Sequence, residues 1–244
     1  MHVLPDHTLS TEVDVTDDIV RRGFSLVDGP QLHVPDQLVD SLGEFVASYE
    51  DLPADPFLPD GGRYRYRRHS RYLFDAATRH LEVIENPGYF QTAENNPFAG
   101  GVMRTYEELA GHIVRSPFLA ALIAFNCDRL PPQETTTRWE VQAHCVRIVA
   151  RQNALGRPTP EGVHRDGYPF ISLHMINRYN IGRTGTSVYD ADENFLTRKV
   201  FSARLDSLYG EDHRIRHGVE DVEQADPRLG DGTRDMLLMS YDPR

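Results

Sequence analysis

The chain has 244 residues, 39% of them hydrophobic, and a formal net charge of −11, which suits one domain, 1–244, with a sizeable core. No apolar run approaches the roughly 20 residues that a bilayer crossing needs, and the acidic balance opposes the long-range approach of a nucleic-acid backbone. The opening MHVLPDHTLSTEVDV has no basic start or apolar stretch, and Cys127 and Cys145 fit neither a disulfide framework nor a zinc pattern, so a cytoplasmic protein without a secretory signal is the expectation.

Residues 1–57 read as a strand-and-helix region. Within it Leu38, Leu42, Phe45, Val46 and Tyr49 fall at helical spacing over 36–49, which predicts one apolar stripe against a core. Residues 58–138 read as a buttress of helices and strand. The run RYRYRRHSR puts Arg63, Arg65 and Arg67 on one strand face and Tyr64, Tyr66 and Arg68 on the other. A helix is predicted over 106–114. Ser116 before Pro117 looks like the cap and first position of another, running to about Phe125.

From residue 139 the texture changes. Short runs at 142–150, 170–178, 186–190, 195–202, 215–219 and 234–241 are rich in β-branched, aromatic and long apolar residues. Gly and Pro punctuate the gaps at 156–162, 182–185 and 227–232. Many short strands with such turns indicate a sandwich or barrel rather than βαβ units. The expected fold is mainly β with flanking helices (α+β), its core a double-stranded β-helix, the cupin-like jelly roll.

The segment PTPEGVHRDGYPF, 158–170, carries the chemistry. His164 and Asp166 are two apart, so in an extended stretch their side chains leave the same face, with backbones roughly 6–7 Å apart. Histidine-x-aspartate alone is a weak signal. Here Gly162 and Gly167 bracket the pair and allow sharp turns on both sides. A third donor should come from a later strand. His213 follows Gly210, Glu211 and Asp212 and reads as turn; His217, in IRHGV, reads as strand and is the better candidate. Two histidines and a carboxylate that leave coordination positions open indicate non-haem Fe(II). His174, mid-strand, reads as a core histidine. His69, His80, His112 and His144 have no partner at ligand spacing.

If such a site takes a 2-oxo dicarboxylate, the far carboxylate needs a buried cation, and the planar fork of arginine suits it. Arg234 opens the strand RDMLLMSY and is the first candidate, with Arg228 in reserve in a loop marked by Pro227 and Gly230. Ser187, Tyr189 and Ser240 are hydroxyls that could share the load.

These stretches, together with LPDGGRYRYRRHSRY (58–72), QTAENNPFAGGVMRTYEELAG (91–111), WEVQAHCVRI (139–148) and NRYNIGRTGTSVYD (177–190), resemble the bacterial 2-oxoglutarate/Fe(II) dioxygenases typified by L-isoleucine 4-hydroxylase. The likeness runs in order from about residue 58 to the end, and PTPEGVHRDG is its most specific part. It implies a double-stranded β-helix, Fe(II) on His164, Asp166 and His217, and 2-oxoglutarate on Arg234. It also implies O2 as oxidant and hydroxylation of a free aliphatic L-amino acid with release of succinate and CO2. GRTG at 182–185 stands where relatives tend to have a Gly-Gly pair, so the pocket is expected to differ there.

A free amino acid brings a carboxylate and an ammonium that both need partners. Arg65, Arg67 and Arg147 are candidates for the first, Glu140 and Asp190 for the second. The expected partner is therefore a small molecule, not a membrane or a nucleic acid. Two other readings share these residues: the same chemistry on a carrier-tethered or peptidyl substrate or a nucleobase, and a non-catalytic cupin-like binding protein.

Overall fold

The computed structural model describes residues 2–3, 8–133 and 137–244. The strands are β1 (His2–Val3), β2 (Phe24–Val27), β3 (Arg65–Asp75), β4 (His80–Ile84), β5 (Arg138–Ala150), β6 (Phe170–Tyr179), β7 (Gly185–Asp190), β8 (Phe195–Val200), β9 (Ser207–Glu211), β10 (Ile215–Val219) and β11 (Gly232–Pro243). The helices are α1 (Val15–Arg22), α2 (Asp36–Ala47) and α3 (Pro117–Cys127). An eight-stranded sheet runs β1-β4-β3-β5-β11-β6-β9-β2, and a three-stranded sheet runs β10-β7-β8. All pairings are antiparallel. The fold is the expected one, mainly β with flanking helices around a cupin-like core.

Strand parity sorts the core into two compartments. On β5, Val141, Ala143 and Cys145 join α2 and α3 in one cluster, as do Leu237, Met239 and Tyr241 of β11. The even-numbered Val146, Ile148 and Met236 face the other way, into clusters that include Val188 of β7 and Val222 after β10. The large sheet therefore has a helix-covered back and a front that meets the small sheet. Helix α3 is apolar all round and its residues Phe118–Leu119 and Ala121–Cys127 are buried, as befits a helix enclosed on every side. Its Ser116 cap forms as predicted, accepting from the Leu119 amide. Among the described residues no helix is long and apolar enough to cross a membrane.

The helix predicted over 106–114 does not form. Strand β4 covers β3 only along Arg71–Asp75, which leaves the first half of that edge open. Residues 53–55 pair with its start at Arg65–Arg67, and the 107–109 backbone fills the rest: the His69 amide donates to the Glu107 carbonyl (2.9 Å) and the Leu109 amide to Ser70 Oγ (3.0 Å). A turn then closes on the Ala110 carbonyl. Backbone groups recruited by a sheet edge are not available for helical bonds.

Candidate metal centre

His164 and His217 form an isolated antiparallel bridge at the mouth between the sheets. Each donates its amide to the other's carbonyl, at 3.0 Å both ways, so the two rings lie side by side with centroids 4.5 Å apart. Gly162 and Gly167 on either side both adopt positive φ, +85° and +87°, which a side-chain-bearing residue would resist. The turn after Gly167 brings Asp166 under the two rings. One Asp166 oxygen lies 3.6 Å from His164 Nε2 and the other 4.0 Å from His217 Nε2. One donor atom from each of the three residues lies within 4.8 Å of the others.

The surroundings fix these donors. His164 Nδ1 lies 3.0 Å from the Gly162 carbonyl; donating there, it turns Nε2 toward Asp166. Gln91 Nε2 donates to Asp166 Oδ1 and to the Asp166 carbonyl, both at 3.2 Å. Gln91 Oε1 in turn accepts from Arg104 (2.7 Å) and Asn96 (3.0 Å), so its amide can point only one way. Asp212 accepts the amides of Asp166 (3.2 Å) and Gly167 (2.6 Å). Burial and the charge of Asp166 push its carboxyl up to about 7 despite those two amides.

The donor set is electrostatically tight. Burial opposes ionisation of Asp166, but the hydrogen bond from His164 and the nearby histidine charges outweigh it and hold the carboxyl at about 2. Burial likewise opposes protonation of His164, but its bond to Asp166 and the charge of Glu161 raise it to about 9. His217 is lowered to about 4 by burial and by the charge of His164. Two imidazoles drawn to one ionised carboxylate in a buried mouth are a donor chemistry that fits a divalent cation.

The donors open onto a cavity of about 80 Å³ between the sheets. Arg234 lines it and is 3% exposed. Its parity on β11 matches that of Met236, so its head turns inward. Its polar contact is Thr186 Oγ1 at 3.4 Å, and among the described residues it has no acidic partner. Burial, reinforced by the charge of Arg178, lowers it to about 10. Ser240 also lines the cavity. Thr186, rather than the predicted Ser187 or Tyr189, presents the neighbouring hydroxyl of β7. Arg228 is exposed and paired with Asp226.

Of the substrate candidates, Arg65 and Arg67 both line the cavity. Arg65 is committed to Asp55 at 2.7 Å. Arg67 contacts His144 Nδ1 at 2.7 Å and lies over the Tyr106 ring at 4.3 Å. Its Nε has no partner, and among the described residues it has no acidic one. Arg147 and Glu140 do not line the cavity. Arg147 has the opposite parity on β5 and binds Asp235 and Glu50. Glu140 shares the inward parity but sits at the far end of the strand, held by Arg71 and Arg244. Asp190 closes its own turn through Asn194.

His213 is exposed in the turn after β9, as its neighbours suggested. His174 is a core histidine bonded by Ser207 and Ser172. His69 and His144 stack across β3 and β5 at 4.0 Å. Gln91, Arg104 and Glu161, which also line the cavity, escaped sequence reasoning. Gln91 and Arg104 lie in an irregular segment without periodicity. Glu161 stands three residues before His164, and that proximity was its only signal.

A family model described as 2OG-Fe dioxygenase matches residues 46–240. The curated 3(1)-hydroxy-L-isoleucine 4-dioxygenase of Pantoea ananatis is 23% identical over 232 residues, covering 91% of this chain and 92% of that protein. The L-isoleucine-4-hydroxylase of Bacillus thuringiensis is 22% identical, over 57% of this chain and 58% of its own. The crystal structure of a bsmA homolog from Methylobium petroleophilum PM1 superposes with a TM-score of 0.82 at 28% identity, covering 99% of this chain and 96% of that one.

Proposed function

The chain belongs to the 2OG-Fe dioxygenase family, and from that premise we propose that it hydroxylates an unactivated C–H of a free, aliphatic L-amino acid, releasing succinate and CO2. The family makes it an oxidoreductase that uses Fe(II), 2-oxoglutarate and O2. The observation that carries the finer reading is one cavity in which a His–Asp–His cluster lies with three buried guanidiniums, Arg67, Arg104 and Arg234, none with an acidic partner among the described residues, of which Arg104 is bonded to Gln91 Oε1 in the support of Asp166. Arg234 and Arg67, the two not engaged in holding Gln91, suit two carboxylates: one of the keto acid, one of the substrate. Relatives named for hydroxylating isoleucine or its derivative point the same way.

In this reading His164, Asp166 and His217 hold Fe(II), which supplies the oxidising power when bound with its cosubstrates. Arg234, beside Thr186, takes the far carboxylate of 2-oxoglutarate. Arg67 takes the substrate carboxylate, and its stacking on Tyr106 fixes the fork before binding. Val146, Ile148, Leu173 and Leu238 line the same cavity and keep the reacting carbon in an apolar, water-poor space.

The test is a panel of the twenty amino acids with Fe(II) and 2-oxoglutarate. Succinate formation should rise with one or a few aliphatic members, whose products gain the mass of one oxygen. Turnover stimulated only by a carrier protein, peptide or nucleobase would overturn the substrate, and no succinate under any condition would overturn the activity.

A further inference from the structure

Only two carboxylates line the cavity among the described residues, Asp166 and Glu161. Asp166 is occupied by the two imidazoles. Glu161 is not: its side chain is 7% exposed, its Oε2 is buried without a hydrogen-bond partner, and its Oε1 lies 3.5 Å from His164 Nε2. It stands outside the group whose donor atoms all fall within 4.8 Å of one another, so it is beside the metal set rather than part of it. A buried carboxylate in that position keeps one acceptor oxygen, Oε2, unfilled, and loses its nearest basic group when His164 Nε2 is given to a metal.

The remaining charges on the wall are positive. Arg67, Arg104 and Arg234 line the cavity, and none has an acidic partner among the described residues. The lining is thus polarised, with guanidiniums for anions and a single spare carboxylate next to the reacting centre. A molecule that suits both carries a carboxylate and a cation, as the zwitterion of an amino acid does.

We infer that Glu161 receives the ammonium group of the substrate and so selects amino acids over simple carboxylic acids, an inference that rests on the amino-acid reading above. Three N–H donors on the ammonium satisfy the open Oε2 and cancel the buried charge in one step. A hydroxyl in place of the ammonium offers one donor and no charge. A hydrogen in its place leaves the carboxylate unpaired.

The experiment compares the wild type with Glu161→Gln and Glu161→Asp, each as its Fe(II)·2-oxoglutarate complex without O2. Each is titrated by calorimetry with the most active amino acid of the panel and with the analogue lacking its amino group (3-methylpentanoate where that amino acid is isoleucine). Glu161→Gln should weaken the amino acid by about 10- to 100-fold, as loss of a charge-assisted bond does, while the deamino acid binds as before. Glu161→Asp should fall between, and iron content should match the wild type in both. Equal weakening of both compounds, no weakening of either, or loss of iron would overturn the role. A wild type that responds to no amino acid would instead remove the substrate reading, and this inference with it.

Discussion

His164 and His217 are cross-strand partners that exchange both of their backbone hydrogen bonds. Pairing of this kind sets the Cα separation at roughly 5.5 Å and sends both side chains to one face. The bridge to β10 therefore sets the two imidazoles side by side, the Gly162 carbonyl fixes the His164 ring, and Asp166 completes the set from a turn that Asp212 pins by its two amides.

Asp166→Ala should abolish 2-oxoglutarate turnover and lower iron content, because it removes the one anion among the three donors. Metal analysis beside a succinate assay checks this. Full activity with normal iron would reject the assignment of Asp166.

Gln91→Ala should reduce Fe(II) affinity by about 10- to 100-fold, the usual cost of losing a group that orients a metal ligand. The fold should be unchanged by circular dichroism. If iron binds as tightly as before, the bond from Gln91 to Asp166 contributes nothing.

Arg234→Met should raise the half-saturating 2-oxoglutarate concentration by about 10-fold or more, since an Arg–carboxylate fork is lost. Iron content should stay level. Unchanged cosubstrate dependence would place the anchor elsewhere in the cavity.

Arg147→Met should unfold the protein more easily by about 3–5 kcal/mol, because Asp235, fully buried, is left without its cation. The half-saturating concentrations of iron and 2-oxoglutarate should not move. Denaturant titration and initial rates separate the two effects, and a selective rise in the substrate requirement would restore Arg147 as a clamp.

Burial alone holds His174 down to about 3, and its polar neighbours Ser172, Ser207 and Asn126 are all neutral. The unfolded chain binds a proton near pH 6.5 that the folded chain refuses until about pH 3, so stability must fall as pH drops through that window. The contribution of His174 to the slope is at most about 1.4 kcal/mol per pH unit. His174→Gln should flatten the profile of urea-unfolding free energy between those limits; an identical profile would mean that His174 is protonated in the fold.

Side-chain alternation is a local property, so the sequence by itself determined the strands at 142–150, 170–178 and 234–241, the capped helix α3, and the shared face of His164 and Asp166. It also set the inward parity that Arg234 shares with Met236. Sequence patterns did not reveal the short strands β2, β4 and β9, whose four or five residues carry too little periodicity. Nor could they foresee that 107–109 would give its backbone to an open edge of β3. Parity says that Arg147 and Val146 face opposite ways, but only the packing of α2 and α3 decided which side was the back. The same holds for Gln91, Arg104 and Glu161: nothing about an irregular stretch or a lone glutamate states where it will lie. Those positions were decided by contacts between residues far apart in the chain, since a cavity exists only once two sheets have closed around it.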